Sequence, residues 1–426
     1  MNSFYLKPKF LSTLRGYTAS ALGKDVIAGI IVAIIALPLS IALALASGVE
    51  PAAGVYTAII AGFVVSLLGG SRVQIAGPTA AFAAIVAGVV ATQGMSGLIL
   101  ATLIAGIILI LMGVLKLGGL IRFIPTTITV GFTAGIAVTI LAGQLKDFFG
   151  LRYAEGLRPV ETLEKLEANV ASIGTFSWQA LLVGVVCLAI LIIYPKFEKR
   201  VPPSLIAVVV GALMVKFIPG LDAGVFTIGE LYEIPRGLPP FTLGSVNFDL
   251  DSILAVLPDA VTISLLAAIE SLLSCVVADG MVNSKHNPNA ELVAQGAGNM
   301  LSVMFGGIPA TGAIARTAAN AKNGGRTPVA GMVHALVLLL VLLVLMPLAK
   351  MIPMPTIAAI LFMVAYNMSE WKKFVSLCKT EKWMGILVLV LTFLLTVIFD
   401  LVVAIVAGLA VHYLFVLILF LKKKKA

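Results

Sequence analysis

The sequence predicts an all-α polytopic membrane protein of about fourteen transmembrane segments, arranged as two inverted repeats of seven. Of its 426 residues, 60% are hydrophobic and only 12% are charged, and the mean hydropathy is +1.10. Many apolar runs reach roughly 17–25 residues without a charge, which is the length of a helix that crosses a bilayer. These two observations exclude a large soluble domain. The repeats follow from a break pattern that the third and tenth segments share.

The apolar runs place the segments in order along the chain. The first seven are predicted at 25–47, 52–70, 75–92, 97–116, 123–144, 177–194 and 203–218. The second seven are predicted at 253–279, 290–305, 310–323, 328–349, 352–367, 383–398 and 400–421.

The charge distribution predicts the orientation. Basic residues precede the first segment, follow the sixth and the twelfth, and end the chain: Lys7, Lys9, Arg15, Lys24, Lys196, Lys199, Arg200, Lys372, Lys373, Lys379, Lys382 and the lysines at 422–425. The loops after the fifth and seventh segments are acidic instead, with Glu161, Glu164, Glu167, Glu230 and Glu233. The positive-inside rule therefore predicts a multi-pass protein of the inner (plasma) membrane with both termini in the cytoplasm. Because the basic residues are scattered in loops, the net charge of +9 does not indicate a nucleic-acid partner.

The third and tenth segments are broken in the same way. They read LLGGSRVQIAGPTAAFAAIVAG (67–88) and MFGGIPATGAIARTAANAKNGG (304–325), each with a Gly-Gly pair followed by proline, threonine and small residues. Matching breaks at position three of each seven are typical of inverted repeats whose discontinuous helices meet near the bilayer midplane. We expect short extended strands that lead into half-helices beginning near Gly77-Pro78-Thr79 and near 309–312, with Pro78 and Pro309 in the first turn. Two ordinary glycine-rich spans are the alternative.

Such helix starts predict an anion site. Their first N–H groups lack partners, and the helix dipole adds partial positive charge. The candidate anion-binding residues are Thr79, Ala80, Thr311, Gly312, Ala313 and Arg316. Arg316 contributes a full charge at membrane depth, where charged residues are costly and usually functional. A structural cap on a neighbouring carbonyl is the alternative role for Arg316.

A second candidate site lies in the eighth segment. Glu270 and Ser274 are four residues apart on one helical face and offer two hard oxygens to Na⁺, with backbone carbonyls completing the shell. Glu270 could equally carry a proton, or pair structurally with Arg316. Three cysteines and three histidines show no ligand spacing, and no nucleotide or nucleophile motif is present, so we expect no cofactor and no enzymatic activity. Uphill transport would then use an ion gradient.

Several stretches resemble the SulP/SLC26 anion transporter family over nearly the whole chain. They are AGIIVAIIALPLSIALALASGVEPAAGVYTAIIAGFVVSLLGG, AIESLLSCVVADG, ELVAQGAGN and GGIPATGAIARTAANAKNGGRTPVAG. The resemblance implies the uracil permease-like fold and an elevator-type mechanism. It implies a cytoplasmic segment 1–24, a core domain at 25–120 and 236–350, and a gate domain at 121–235 and 351–426, which includes the basic tail.

Within the family, the pattern is most similar to bacterial sodium-dependent bicarbonate transporters. The resemblance implies a cation site of Glu270, Ser274, Gly312 and Ile314, although a hydroxyl residue is expected where Ile314 stands. Leu39 follows Pro38 where proton-coupled members carry a glutamate, which disfavours a proton-coupled dicarboxylate transporter. Family members usually end in a STAS domain, whereas this sequence ends in KKKKA, as a shortened piece or a naturally short form would.

The resemblance thus implies Na⁺-coupled bicarbonate uptake, with a small inorganic anion, Na⁺ or H⁺, and the bilayer as partners and a homodimer as the expected assembly. A sulfate transporter, a chloride/anion exchanger and a proton-coupled anion symporter are the alternatives within the family. A nucleobase permease would share the fold but needs side chains for a base edge. A membrane enzyme or scaffold is the remaining alternative, and no catalytic constellation supports it.

Overall fold

The computed structural model describes residues 6–14, 16–119, 125–157, 159, 161–198, 201–233, 237–399 and 401–425. Several predictions fall outside these residues: the domain boundaries at 120/121 and 235/236, the starts of the fifth and fourteenth segments at 123 and 400, and the basic residues Arg15, Lys199 and Arg200. The side chains of the basic tail at 422–425 also lie outside the described part.

The chain is mostly helical. After the short α1 (Lys9–Thr13), the first repeat contains α2 (Ala19–Ala46), α3 (Pro51–Leu68), α4 (Ala80–Val114), α5 (Thr126–Phe149), α6 (Thr162–Ala171), α7 (Trp178–Ile193), α8 (Pro203–Phe217) and α9 (Ile228–Leu231). The second contains α10 (Leu250–Val282), α11 (Pro288–Met304), α12 (Ile314–Lys322), α13 (Val329–Leu345), α14 (Met354–Met368), α15 (Trp371–Thr380), α16 (Trp383–Ile398) and α17 (Leu401–Lys425).

These helices confirm the predicted polytopic all-helical architecture. Seven helices in the described part of the chain are long and apolar enough to cross a membrane, and three shorter apolar helices accompany them. Helix α4 contains both the third and the fourth predicted segment, joined at Gly94, whose φ of 70° and ψ of −176° interrupt the helix. A positive φ is accessible to glycine at little cost in free energy, so Gly94 permits the kink between the two helical halves of α4.

Local sequence explains several helix ends. The hydroxyl of Thr18 accepts a hydrogen bond from the N–H of Ala21 at the start of α2, and the carboxylate of Asp249 accepts one from Ser252 at the start of α10. Gly150 ends α5 with a φ of 63°, and Asn283 ends α10 with a φ of 48°. Side-chain caps and left-handed terminal residues satisfy backbone groups that a helix end leaves unpaired.

The two broken segments meet as a short antiparallel strand pair. Strand β1 (Ala76–Gly77) pairs with β2 (Thr311–Gly312), with Ala76 opposite Gly312 and Gly77 opposite Thr311. The expected half-helices follow these strands, which confirms the extended-then-helical pattern. The expectation that Pro78 and Pro309 lie in a first helical turn is wrong, because the helices begin at Ala80 and Ile314. Strand pairing uses Ala76–Gly77, directly before Pro78, and Thr311–Gly312, which begins two residues after Pro309.

The helices pack in two groups. Helices α4, α10 and α11 pack together, as do α2, α3 and α13, within the predicted core. Helix α5 packs against α14 and α16, and α7 packs against α14 and α8, within the predicted gate. Helix α2 contacts α8 and α14, so it lies where the two groups meet. Movement of one group against the other stays a prediction.

Candidate anion site

The first backbone N–H groups of α4 and α12 adjoin the strand pair, and helix geometry gives them no partner within the helix. The residues that precede these helices, Thr79 and Ala313, form no side-chain hydrogen bond with the first turn. The N–H of Gly312 donates to Oγ of Ser271 (3.0 Å), and the N–H of Ala313 donates to the carbonyl of Ile75 (2.8 Å). The N–H groups that could bind a ligand therefore belong to the first turns of α4 and α12, which begin at Ala80 and Ile314. On α12 this start lies one or two residues after the predicted Gly312 and Ala313.

Thr79 links one helix start to Glu270. Its hydroxyl donates to Oε2 of Glu270 at 2.9 Å, so α10 and the cap of α4 are joined by a side-chain hydrogen bond. Thr79 is a predicted anion-binding residue and Glu270 a predicted cation-binding residue. The fold thus brings the two predicted sites into direct contact, although 191 residues separate them in sequence.

Arg316 is fully buried on α12. Its Nη2 donates to Oγ of Ser40 on α2 at 3.1 Å and to the carbonyl of Pro78 at 3.4 Å. Its Nε and Nη1 have no hydrogen-bond partner among the described residues. Among those residues Arg316 forms no salt bridge with Glu270, so the structural pairing considered from sequence is wrong. An uncompensated guanidinium next to the strand pair raises the positive potential there.

The remaining predicted residues lie around β2. Ser274 is fully buried and donates to Oγ1 of Thr317 at 3.3 Å, and that oxygen also accepts from the N–H of Ile75 at 3.0 Å. The hydroxyl of Thr311 is 2.7 Å from Oγ of Ser271. The side chain of Ile314 is 43% exposed and contributes no polar atom. Only its backbone carbonyl could therefore serve a cation.

Sequence reasoning missed a buried polar stripe on α11. Glu291, Gln295 and Asn299 are each 0% exposed and are spaced four residues apart, which places them on one helical face. The Glu291 carboxylate accepts from the N–H groups of Gly70 (2.9 Å) and Ser71 (3.2 Å) and from the side chain of Gln74 (2.8 Å). In the sequence Glu291 stands beside a predicted turn and resembles an ordinary charge, whereas the structure buries it fully.

The same stripe supports the second broken segment. Asn299 accepts from the N–H of Ala310 and donates to its carbonyl, both at 2.8 Å. Thr57 of α3 accepts from the N–H of Ile308 at 2.7 Å. Non-helical backbone at membrane depth requires such partners. The regular four-residue spacing of polar residues in ELVAQGAGN was the signal in the sequence.

Comparison with known proteins decides the family. A family model described as the sulfate permease family matches residues 22–392. The chain belongs to the sulfate permease family. This SulP family member is 44% identical to "Putative sulfate transporter YvdB" of Bacillus subtilis over 96% of this chain and 76% of that protein. It is 33% identical to "Bicarbonate transporter BicA" of Picosynechococcus over 90% of this chain and 68% of that protein.

Solved structures support the same fold. The transmembrane domain of a cyanobacterial bicarbonate transporter BicA matches with a TM-score of 0.81 and 32% identity, covering 91% of this chain and 98% of that one. The structure of SLC26A9 matches with a TM-score of 0.84 and 19% identity over 97% of this chain and 68% of that one. The SulP protein is therefore a multi-pass anion transporter with the seven-plus-seven fold.

Proposed function

We propose that the protein is a secondary active transporter that carries bicarbonate into the cell together with Na⁺. The observation that carries this proposal is the pair of uncapped helix starts at Ala80 and Ile314, held together by β1 and β2 and backed by the buried charge of Arg316. Free N–H groups and helix dipoles suit an anion that approaches the backbone directly. The likeness to two proteins named bicarbonate transporters favours bicarbonate.

In this proposal Thr79, Ala80, Thr311, Gly312, Ala313 and Arg316 surround the anion. Because Gly312 and Ala313 already use their N–H groups inside the protein, they contribute shape rather than donors. The donors come from the first turns of α4 and α12, and Arg316 supplies long-range attraction from behind the strand pair.

The cation completes the transported pair. Glu270, Ser274, Gly312 and Ile314 offer a carboxylate, a hydroxyl and backbone carbonyls, which are oxygen ligands that a hard cation prefers. A carboxylate about 6 Å from a bound anion would repel it by roughly 3 kcal/mol at an effective dielectric constant near 20. Na⁺ bound at Glu270 removes that repulsion, so each ion raises the affinity for the other. A proton on Glu270 would act in the same way.

Transport follows an elevator-type movement in this proposal. The core domain of α2–α4 and α10–α13 carries both ions and moves against the gate domain of α5, α7, α8, α14, α16 and α17. Both ion sites lie on core helices, so the pair moves as one body.

We propose a homodimer in the inner (plasma) membrane with cytoplasmic termini. In intact cells, an impermeant thiol reagent should then label Glu167→Cys but not Lys373→Cys.

Uptake in liposomes tests the proposal. Purified protein should accumulate labelled bicarbonate when an inward Na⁺ gradient is imposed, and a choline gradient should not replace it. Glu270→Ala should abolish the Na⁺ dependence, whereas Glu167→Ala, an exposed acid on α6, should leave it unchanged. Bicarbonate uptake that does not depend on the Na⁺ gradient and is unchanged in Glu270→Ala would contradict the proposed cation site.

Sulfate is the second candidate substrate, because the relative at 44% identity is named a putative sulfate transporter. The same assay with labelled sulfate distinguishes the two: faster sulfate than bicarbonate uptake at equal concentration would overturn bicarbonate as substrate. Uptake driven by internal chloride would indicate anion exchange, and uptake driven by a pH gradient would indicate proton coupling.

A further inference from the structure

Two fully buried polar side chains lie behind the strand pair without a full set of partners. Arg316 on α12 and His334 on α13 are both 0% exposed. Nε and Nη1 of Arg316, and both ring nitrogens of His334, have no hydrogen-bond partner among the described residues. Buried polar nitrogens nearly always have a partner, so four in one region require an explanation.

These two side chains lie against neighbouring residues of β1. A Cβ on Gly77 would collide with Nη1 of Arg316, so the guanidinium lies directly against the strand. A Cβ on Gly62 of α3 would lie 3.3 Å from the carbonyl oxygen of Ala76 and 3.6 Å from Nδ1 of His334. A Cβ on Gly77 would also lie 3.6 Å from Cα of Ala58, one helical turn before Gly62 on α3, so both side chains lie near one stretch of α3. Glycine at 62 and 77 leaves the space that both side chains occupy.

The chemistry of the two side chains is complementary. A guanidinium has five N–H donors and no acceptor, whereas a neutral imidazole has one donor and one acceptor nitrogen. Ser40 and the carbonyl of Pro78 take hydrogen bonds only from Nη2, so the Nε and Nη1 edges of Arg316 are unconstrained by the described residues. His334 provides an acceptor at a fixed position on a neighbouring helix.

We propose that His334 is a positioning residue for the anion site. Its acceptor nitrogen takes a hydrogen bond from a water molecule that the Arg316 guanidinium also contacts, and this bridge holds the charge against β1. The inference rests on the proposed role of Arg316 in attracting the transported anion. It adds a residue that touches neither ion and acts only through the orientation of the guanidinium.

The role predicts a split between affinity and turnover. Without the acceptor, the guanidinium turns away from β1, so the anion is held less tightly while the moving helices are unchanged. His334→Phe should raise the KM for the anion about tenfold, with kcat within about threefold of the wild type. His334→Gln, which restores an acceptor, should return KM to within about threefold of the wild type.

Two readouts and a matched control test this. The first readout is KM for labelled bicarbonate and sulfate in liposomes. The second is the rise in the melting temperature of the detergent-purified protein that either anion produces, which needs no transport. His412→Phe makes the same substitution on α17 in the predicted gate, and both readouts should stay at the wild-type value. In an Arg316→Gln background, His334→Phe should add no further loss, because both changes act through one group.

An unchanged KM and an unchanged anion-dependent melting shift in His334→Phe would overturn the proposal, as would full additivity with Arg316→Gln. If His334→Phe does not fold, His334→Leu replaces it with the same expected and contradicting results. A wild-type protein that takes up neither anion contradicts the proposed function alone, because the melting shift still tests His334. A melting shift lost in His334→Phe and kept in His334→Gln supports the positioning role in either case.

Discussion

The starts of α4 and α12 share a backbone plan and differ in their side chains. Each follows one strand of the β1–β2 pair, and each lacks a side-chain cap. The third helical residue is Phe82 in α4 and Arg316 in α12, and both side chains are fully buried. Both helix starts therefore adjoin one strand pair, but only the start of α12 carries a full charge. In the proposed anion site, the internal repeat would supply the geometry and single residues would supply the charge.

The extended segments that lead into these helices differ in the same way. The segment after α3 is held by the carboxylate of Glu291, which accepts three hydrogen bonds from it. The segment after α11 is held by the neutral side chains of Asn299 and Thr57. Helix α11 thus fastens both broken segments, one through an acid and one through an amide.

The largest expected effect comes from removing the carboxylate of Glu291, which holds the first broken segment. Glu291→Leu leaves the N–H groups of Gly70 and Ser71 and the side-chain amides of Gln74 and Gln295 without their acceptor. Unpaired buried donors cost about 1–3 kcal/mol each, so the free energy of unfolding should fall by at least about 3 kcal/mol. Unfolding by SDS titration measures it. Glu167→Leu on exposed α6 is the control, and equal losses in both would contradict the anchoring role.

Removing the amide of Asn299 should lower the free energy of unfolding by a smaller amount. Asn299→Leu leaves one N–H and one carbonyl of Ala310 unpaired, so we expect a loss of about 2 kcal/mol in the same titration. Asn323→Leu, at an exposed helix end, should change the free energy of unfolding by less than about 0.5 kcal/mol. A loss in Asn299→Leu that exceeds that in Glu291→Leu would reverse the comparison between the two segments.

Exchange of the charge at the third helical position tests the difference between the helix starts. Arg316→Gln should weaken anion affinity about tenfold, or roughly 1.4 kcal/mol, because the dipoles remain and the full charge is lost. Phe82→Leu at the matching position of α4 should leave the affinity unchanged and lower stability by about 1 kcal/mol. Anion titration of the melting temperature measures the affinity. Equal affinity in Arg316→Gln and wild type would return Arg316 to a structural role.

The smallest expected effect concerns two serines on α10. Ser271→Ala removes one of two partners of the Thr311 hydroxyl and the acceptor of the Gly312 N–H, and should lower the free energy of unfolding by about 1 kcal/mol. Ser274→Ala removes only a 3.3 Å bond to Thr317 and should lower it less. In uptake assays the order should reverse, with Ser274→Ala raising the Na⁺ concentration for half-maximal uptake more than Ser271→Ala. The opposite order would move the cation site from Ser274 to Ser271.

Sequence patterns predicted the architecture because hydrophobic length and break position are local properties. A run of about 20 apolar residues must be a helix in a bilayer, since its backbone can find no other partner there. The Gly-Gly and proline breaks at matching positions predicted β1, β2 and the helices that follow them. The helices begin a few residues later than predicted, because the pairing of Ala76 with Gly312 joins segments remote in sequence and is not a local property.

The sequence also indicated which charged residues belong to the candidate site, but not which residues contact them. Glu270 and Arg316 stood out as charges in apolar segments, whereas the Thr79–Glu270 bond and the buried contact of Arg316 with Ser40 join residues from distant segments. Glu291 lay near a predicted loop and resembled an ordinary surface acid, and only its neighbours in the fold show that it is buried. His334 lay in an apolar run with nothing to indicate the guanidinium behind β1.

The sequence by itself therefore determined the membrane class, the repeat, the two broken segments and the charged residues near them, because each depends on composition and spacing. Tertiary structure decided which backbone donors remain free, which polar side chains fasten the broken segments, and how close the acid of α10 lies to the helix start of α4. These depend on contacts between segments that are remote in sequence, and a hydrogen bond has a direction and a length that no linear pattern specifies.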